Sequence, residues 1–98
     1  MKILALEHEL PEATSEGFQR YAKDEARKAW ELYQSGLIRE LYFRADQQTA
    51  VLVLECDSTD EAINILTELP YVEEGLIAFD LIPLVAYPGF ERLFKGIP

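Results

Sequence analysis

The order of the secondary-structure patterns along the chain is the feature that most restricts its fold. Short apolar runs predict strands at residues 2–8, 37–44, 50–56 and 76–85. Apolar residues recur every three or four positions over 15–35, which predicts an amphipathic helix after the first strand. A second helix is predicted after the third strand, because Ser58 and Glu61 form a capping box and Pro70 ends the pattern. The predicted order is therefore β-α-β-β-α-β.

This order predicts an α+β domain of ferredoxin-like type, since right-handed crossovers and short connections leave one compact arrangement. Its antiparallel sheet has the strand order 4-1-3-2, and both helices cover the same face. We expect residues 1–98 to form a single domain of this kind. Residues 88–98 form a tail with apolar residues at helical spacing, which we expect to dock on its own or a neighbouring subunit.

The predicted strands are apolar on both faces, although two helices can cover only one. In the third strand, Leu52 and Leu54 point to one face while Val51 and Val53 point to the other. An uncovered apolar face of roughly several hundred Å² is rare in monomers. We therefore predict a homodimer in which two sheets pack face to face about a two-fold axis, and which can assemble further. The chamber between the sheets would bind a small molecule.

Composition and charge exclude several classes of partner. The chain has 9 Lys and Arg against 18 Asp and Glu, a net charge of −9. This charge opposes nucleic acids and anionic membranes, because both are bound through clustered cations. No apolar run is as long as a signal sequence or a membrane span, which predicts a cytoplasmic protein. The single cysteine, Cys56, ends an apolar run and fits a core position, and no pattern predicts a metal or an organic cofactor.

Four segments carry a resemblance to a known family. They are Ser35-Gly-Leu-Ile-Arg-Glu-Leu-Tyr, Glu55-Cys-Asp-Ser-Thr-Asp-Glu-Ala, Leu66-Thr-Glu-Leu-Pro70 and Phe79-Asp-Leu-Ile-Pro-Leu84. With these segments the chain resembles the muconolactone isomerase family of the dimeric α+β barrel superfamily, from about residue 2 to residue 88. The resemblance implies face-to-face sheet dimers, C-terminal segments that contact a neighbour, and proton transfer on a small unsaturated lactone without a cofactor. Arg39 matches an arginine of that family, whereas Glu40 replaces a histidine of the isomerases.

The only histidine, His8, is the first candidate for catalysis. It lies at the end of the first predicted strand, and imidazole transfers protons near neutral pH. The alternative is an exposed strand-end residue without a chemical role. Because the first two strands run parallel, Arg39 is expected near the opposite end of the sheet, on the order of 15 Å from His8. The two should therefore not act on one bond within a subunit.

A second group of candidates follows from the face of the sheet to which each strand residue is predicted to point. Glu7, Tyr42, Arg44 and Asp80 are predicted to share the face that meets the partner subunit. Burial there would raise the pKa of Glu7 and make it a second catalytic candidate. Arg44 or Arg39 would hold an anionic group of the substrate, and Tyr42 and Asp80 would complete the binding site. The alternative is an ion pair between subunits without a ligand.

These residues leave three functions open. The first is a muconolactone isomerase-like protein that transfers a proton or isomerises a small anionic organic molecule, with His8 or Glu7 moving the proton. The second is a non-catalytic binding module with the same chamber. The third is a cofactor-free oxygenase with an apolar lining and Trp30 near the substrate.

Overall fold

A computed structural model describes residues 1–94 of the chain. Its elements are β1 (Lys2–Glu9), α1 (Ser15–Gln34), β2 (Ile38–Phe43), β3 (Ala50–Glu55), α2 (Thr59–Thr67), α3 (Pro70–Glu73) and β4 (Ile77–Leu84). A short 3₁₀ turn, Gly89–Leu93, follows β4. The predicted order of four strands and two main helices is confirmed, and each strand end lies close to its predicted position. Residues 95–98 of the predicted tail lie outside the described residues.

The sheet has the strand order β2-β3-β1-β4, and each pair of neighbours is antiparallel. This is the predicted order 4-1-3-2 read from the other edge. The two central strands, β1 and β3, are the ones with continuous apolar runs, as expected for strands with neighbours on both sides. Pro83 lies in the edge strand β4, where its missing N–H is tolerated. At the other edge, the pairing of β2 shifts between Ile38 and Glu40, which marks a bulge at Arg39.

The second helix begins as predicted but ends differently. The Ser58 hydroxyl accepts a hydrogen bond from the Glu61 backbone N–H at 3.1 Å. The Glu61 carboxylate reaches one residue further back than in a capping box and accepts from the Asp57 N–H at 2.8 Å. The prediction that Pro70 ends this helix is wrong, because α2 ends at Thr67 and Pro70 is the first residue of α3. Proline suits that position, since its missing N–H has no partner in a first helical turn.

The core lies between the helices and one face of the sheet, which we call the helix-covered face. Its buried residues include Ile3 and Ala5 of β1, Ile38 of β2, Ala50, Leu52 and Leu54 of β3, Leu32 of α1, Ala62, Ile65 and Leu66 of α2, and Leu69. Cys56 is also buried there, as predicted, and burial raises the pKa of its thiol. A small apolar thiol with a raised pKa fits a structural role.

The opposite face, which we call the uncovered face, is apolar without helices above it. Cross-strand pairs place Leu4 beside Val53 and Ile82, and Leu6 beside Val51. Ile82 remains 42% exposed in the single chain. The two-sided apolar character expected from the sequence is therefore present, and it leaves a surface that monomers rarely maintain.

The chain after β4 does not pack on its own subunit over the residues described. Phe90, Leu93 and Phe94 are 66%, 75% and 83% exposed. Tyr87 and Phe90 form an edge-to-face pair with ring centroids 5.1 Å apart, so the aromatic residues contact each other rather than the sheet. Docking of the tail on its own or a neighbouring subunit stays a prediction.

Candidate functional site

An apolar cleft of about 570 Å³ lies between α1 and the helix-covered face of the sheet. One wall is formed by Ala22, Ala26 and Ala29, which recur at helical spacing on α1. The facing wall comes from the sheet and includes Ala50 and Leu52 of β3. Alanine side chains are too short to fill the space between helix and sheet, so the gap stays open along this part of the interface.

Glu7 is one of two carboxylates that line this cleft. It lies on β1 opposite Phe79 of β4, and its Oε1 accepts a hydrogen bond from the Ala50 backbone N–H at 3.1 Å. Burial raises the pKa of Glu7, the hydrogen bond from Ala50 opposes this rise, and the charge of Glu9 adds to it. Glu7 therefore holds a proton to higher pH than an exposed glutamate does.

Glu25 of α1 is the second carboxylate, and sequence reasoning did not single it out. Its Oε1 accepts a hydrogen bond from the Tyr71 backbone N–H at 2.9 Å, which ties α1 to α3. Burial raises the pKa of Glu25, the Tyr71 hydrogen bond opposes this, and the nearby charge of Glu7 raises it further. Two half-buried carboxyl groups in one apolar cleft, each with a raised pKa, are typical of sites that transfer protons.

Tyr71 gives the cleft a further polar group. Its hydroxyl donates a hydrogen bond to the Phe18 carbonyl at 3.0 Å, and its ring packs edge-to-face on Phe18 at 5.1 Å. Burial raises the pKa of Tyr71, and the charges of Glu25 and Glu7 add to the effect. The phenol is therefore neutral at physiological pH, and its position is fixed by two contacts with α1.

The two predicted catalytic residues, Glu7 and His8, lie on opposite faces of the sheet. The prediction that Glu7 shares a face with Asp80 is wrong, because Glu7 pairs with Phe79 while Asp80 pairs with Leu6. His8 is on the uncovered face, with its Nδ1 3.5 Å from Asp80 Oδ2. Strand residues alternate between faces, so neighbouring positions on β1 cannot serve the same site.

The predicted anion-binding arginines also lie outside the cleft. Arg44 follows β2 and forms a two-pronged ion pair with Asp46, with Nε–Oδ1 and Nη2–Oδ2 distances of 2.9 and 2.7 Å. Arg39 donates from Nε to the Gly36 carbonyl at 2.6 Å. Both guanidinium groups therefore have partners within the chain. The expectation that Arg44 lies on the same face as Glu7 is not met.

A shallower groove runs beside the cleft along the outer side of β2. It contains Arg39 and Glu40 together with the exposed aromatic residues Trp30 and Tyr33. Tyr42 lines both the groove and the cleft, and its hydroxyl donates to Glu40 Oε1 at 2.8 Å. This hydrogen bond raises the pKa of Tyr42. Of the predicted binding residues, Tyr42 lines the cleft with Glu7, but the expectation that the two share a face is wrong, because Tyr42 pairs with Val51 of the uncovered face.

Residues 1–94 contain neither a cluster of metal ligands nor a helix that could span a membrane. No group of three His, Cys, Asp or Glu side chains is placed to hold a metal ion in this part of the chain. Over the same residues, no helix has the length and hydropathy that crossing a membrane requires.

Comparison with known proteins gives matches among solved structures. No family model and no curated protein matches the chain. The crystal structure of muconolactone isomerase matches with a TM-score of 0.73 and 20% identity, over 90% of this chain and 92% of that one. The second match is 5-chloro-2-hydroxyhydroquinone dehydrochlorinase (TftG) from Burkholderia phenoliruptrix AC1100, in complex with 2,5-dihydroxybenzoquinone. Its TM-score is 0.62 at 17% identity, over 91% of this chain and 98% of that one.

The TM-scores establish the fold, whereas identities of 20% and 17% carry no function, so the chemistry of the site has to be argued from its own residues. The sequence resemblance is confirmed at that level: the chain has the ferredoxin-like α+β fold of muconolactone isomerase.

Proposed function

We propose that the chain is an enzyme that transfers a proton on a small organic molecule, without a cofactor, in the cleft between α1 and the sheet. The observation that carries this proposal is the pair Glu7 and Glu25, two half-buried carboxyl groups whose pKa values are both raised. A carboxyl group that titrates closer to neutral pH is an effective general acid or base at that pH.

The pair supplies both the general base and the general acid that an isomerisation needs. One carboxylate takes a proton from a carbon next to a carbonyl group, and the electrons of the broken C–H bond enter the conjugated system. The other carboxyl group, in its protonated form, delivers a proton at a different carbon or oxygen. The double bond moves, each carboxyl group exchanges its protonation state, and no oxidant or reductant is consumed.

The names of the structural neighbours agree with this class of molecule. One is called an isomerase of muconolactone, and the other is a dehydrochlorinase crystallised with 2,5-dihydroxybenzoquinone. Both names refer to small oxygenated organic molecules. They support proton transfer on such a molecule as the first function to test for this chain, at the level of reaction class.

A non-catalytic binding module is the second candidate, because the hydrogen bonds of both carboxylates explain their positions without a catalytic role. Glu7 accepts from β3 and Glu25 accepts from α3, so each carboxylate also joins two elements. A purely structural role would produce the same contacts. The cofactor-free oxygenase has less support, because Trp30 lines the neighbouring groove and is 57% exposed.

The predicted homodimer remains part of the proposal. The uncovered face carries Leu4, Leu6 and Ile82 without a covering element over residues 1–94, and Phe94 of the tail is exposed. A second copy would bury both surfaces. The cytoplasmic location stays a prediction from the sequence.

The test uses α-angelica lactone, a small unsaturated lactone whose isomerisation is a proton transfer. Proton NMR in D₂O follows deuterium uptake at its ring carbons in the presence of the full chain. We expect the chain to accelerate uptake, and Glu25→Gln and Glu7→Gln to lower the rate by at least about 100-fold, the usual contribution of general acid–base catalysis.

Glu16→Gln is the matched control, because Glu16 is an exposed glutamate at the start of the same helix. It should keep the rate of the unsubstituted chain. Folded Glu25→Gln and Glu7→Gln variants that keep the full rate would contradict the proposal. A chain that binds the lactone without accelerating uptake would favour the binding module.

A further inference from the structure

The charges around the cleft are of one sign. Apart from Glu7 and Glu25, every residue of the described chain that lines it is apolar or a tyrosine. No Lys, Arg or His of residues 1–94 contributes to the lining. The chain as a whole carries a net charge of −9, which adds to the negative potential at the cleft.

Several cations of the surrounding elements are engaged elsewhere. Arg39 lies in the neighbouring groove and donates to the Gly36 carbonyl, and Arg44 is paired with Asp46. Lys28 of α1 forms an ion pair with Glu68 at 2.8 Å. His8 lies on the opposite face of the sheet. Within residues 1–94, none of these groups is among the residues that line the cleft.

A carboxylate entering the cleft would therefore lose its water without gaining a cation. An apolar lining disfavours a charge that has no partner, and the like charges of Glu7 and Glu25 disfavour it again. A hydroxyl or carbonyl oxygen has no such difficulty. Either oxygen accepts a hydrogen bond from a protonated carboxyl group, and a hydroxyl group also donates one to an ionised carboxylate.

We infer that the cleft selects molecules whose enclosed part is an uncharged ring bearing hydroxyl or carbonyl oxygens, such as a neutral lactone or a hydroxylated aromatic. This rests on the proposed function and specifies its substrate class. It differs from the anionic substrate that the arginines suggested in the sequence. The cleft volume of about 570 Å³ is within the range of small-molecule pockets.

The test compares 4-hydroxybenzamide with 4-hydroxybenzoate, which have the same ring and hydroxyl but differ in charge. Each is titrated at pH 7.5 into the ¹⁵N-labelled full chain, and binding is followed at the backbone amides of Ala26 and Ala50 in the cleft walls. We expect the amide to bind at least about tenfold more tightly than the carboxylate.

Two variants show whether charge causes this preference. Glu7→Gln with Glu25→Gln removes both negative charges and should reduce the difference to about twofold. Leu41→Lys places a cation at the rim, where Leu41 lines the cleft and is 44% exposed, so it should tighten binding of the carboxylate in a chain with an unaltered core. The control Glu16→Gln should leave the difference unchanged.

The outcomes separate this inference from the proposed function. A carboxylate that binds the cleft as tightly as the amide, or more tightly, overturns the inference while catalysis by Glu7 and Glu25 still stands. Failure of both probes to shift the Ala26 and Ala50 amides also overturns the inference. If the amide is preferred but no variant alters deuterium uptake, the inference stands for a binding module and the catalytic proposal fails.

Discussion

Glu7 and His8 are neighbours on β1, yet they belong to two different surfaces. Glu7 lies in the cleft with Glu25 under α1, where burial raises the pKa of both carboxyl groups. His8 lies on the uncovered face beside Asp80, with side chains that are 47% and 71% exposed. Water screens the exposed pair, and pairs of that kind contribute little. Residue type alone makes His8 the first candidate for proton transfer. Burial in the cleft, however, raises the pKa of Glu7 and Glu25 and makes them the better candidates.

The largest expected effect is a difference in reaction rate between substitutions in the cleft and substitutions on the uncovered face. Glu25→Gln should lower deuterium uptake by α-angelica lactone at least about 100-fold, whereas His8→Gln should change it less than about twofold. The reason is that Glu25 lines the cleft and His8 does not. Proton NMR measures both rates under the same conditions. The comparison breaks down if His8→Gln removes the activity and Glu25→Gln retains it.

A second prediction concerns the role of the uncovered face. Leu6→Lys would bury an unpaired charge in the proposed dimer, so it should weaken dimerisation by at least about 100-fold. Leu41→Lys on the helix-covered face is the matched control and should leave the dimer intact. Sedimentation equilibrium at micromolar concentration measures both. An unsubstituted chain that stays monomeric, or a Leu6→Lys chain that stays dimeric, would contradict this role.

Much of the fold follows from sequence pattern, for identifiable reasons. The apolar run Ala50–Leu54 predicts a strand over 50–56, and β3 occupies Ala50–Glu55. The sheet order follows from the element order, because few connections are compact and right-handed. The face of the sheet on which Glu7 lies could not be assigned from the sequence. Because β1 and β3 are apolar on both sides, the alternation of side chains does not show which residues point towards the helices.

The position of the cleft could have been found from α1. Its predicted apolar stripe consists largely of alanines, and Glu25 falls among them, three residues after Ala22 and one before Ala26. A carboxylate within an apolar stripe is a signal of a partly buried acid. Tyr71 gave no such signal, because Pro70 was expected to end a helix and instead begins α3. The backbone N–H that holds Glu25 comes from that short helix.

The smallest expected effect is on stability and its dependence on pH. Folding raises the pKa of Glu25, so the folded chain binds more protons than the unfolded chain between the two pKa values. The stabilising contribution of this carboxyl group is therefore fully present below its pKa in the unfolded chain, and it is lost as the pH rises through its pKa in the folded chain. Glutamine mimics the protonated form at every pH and keeps an oxygen for the Tyr71 N–H.

Thermal unfolding followed by circular dichroism tests this expectation. Glu25→Gln should raise the Tm at pH 7 by roughly 1–4 °C, since water at the half-buried group limits the effect to less than about 1 kcal/mol. At about pH 4 the difference should disappear. Glu16→Gln should not raise the Tm at either pH, because the charge of Glu16 in the first turn of α1 favours the helix and its removal does not stabilise the fold. A Tm for Glu25→Gln below that of the unsubstituted chain at pH 7 would show that the ionised carboxylate stabilises the fold.

The location of a bound ring tests the central claim most directly. Crystals of the full chain soaked with 4-hydroxybenzamide should show the ring between α1 and the sheet, with an oxygen within hydrogen-bond distance of Glu7 or Glu25. A ring bound on the uncovered face beside His8 and Asp80, with the cleft unoccupied, would contradict the account.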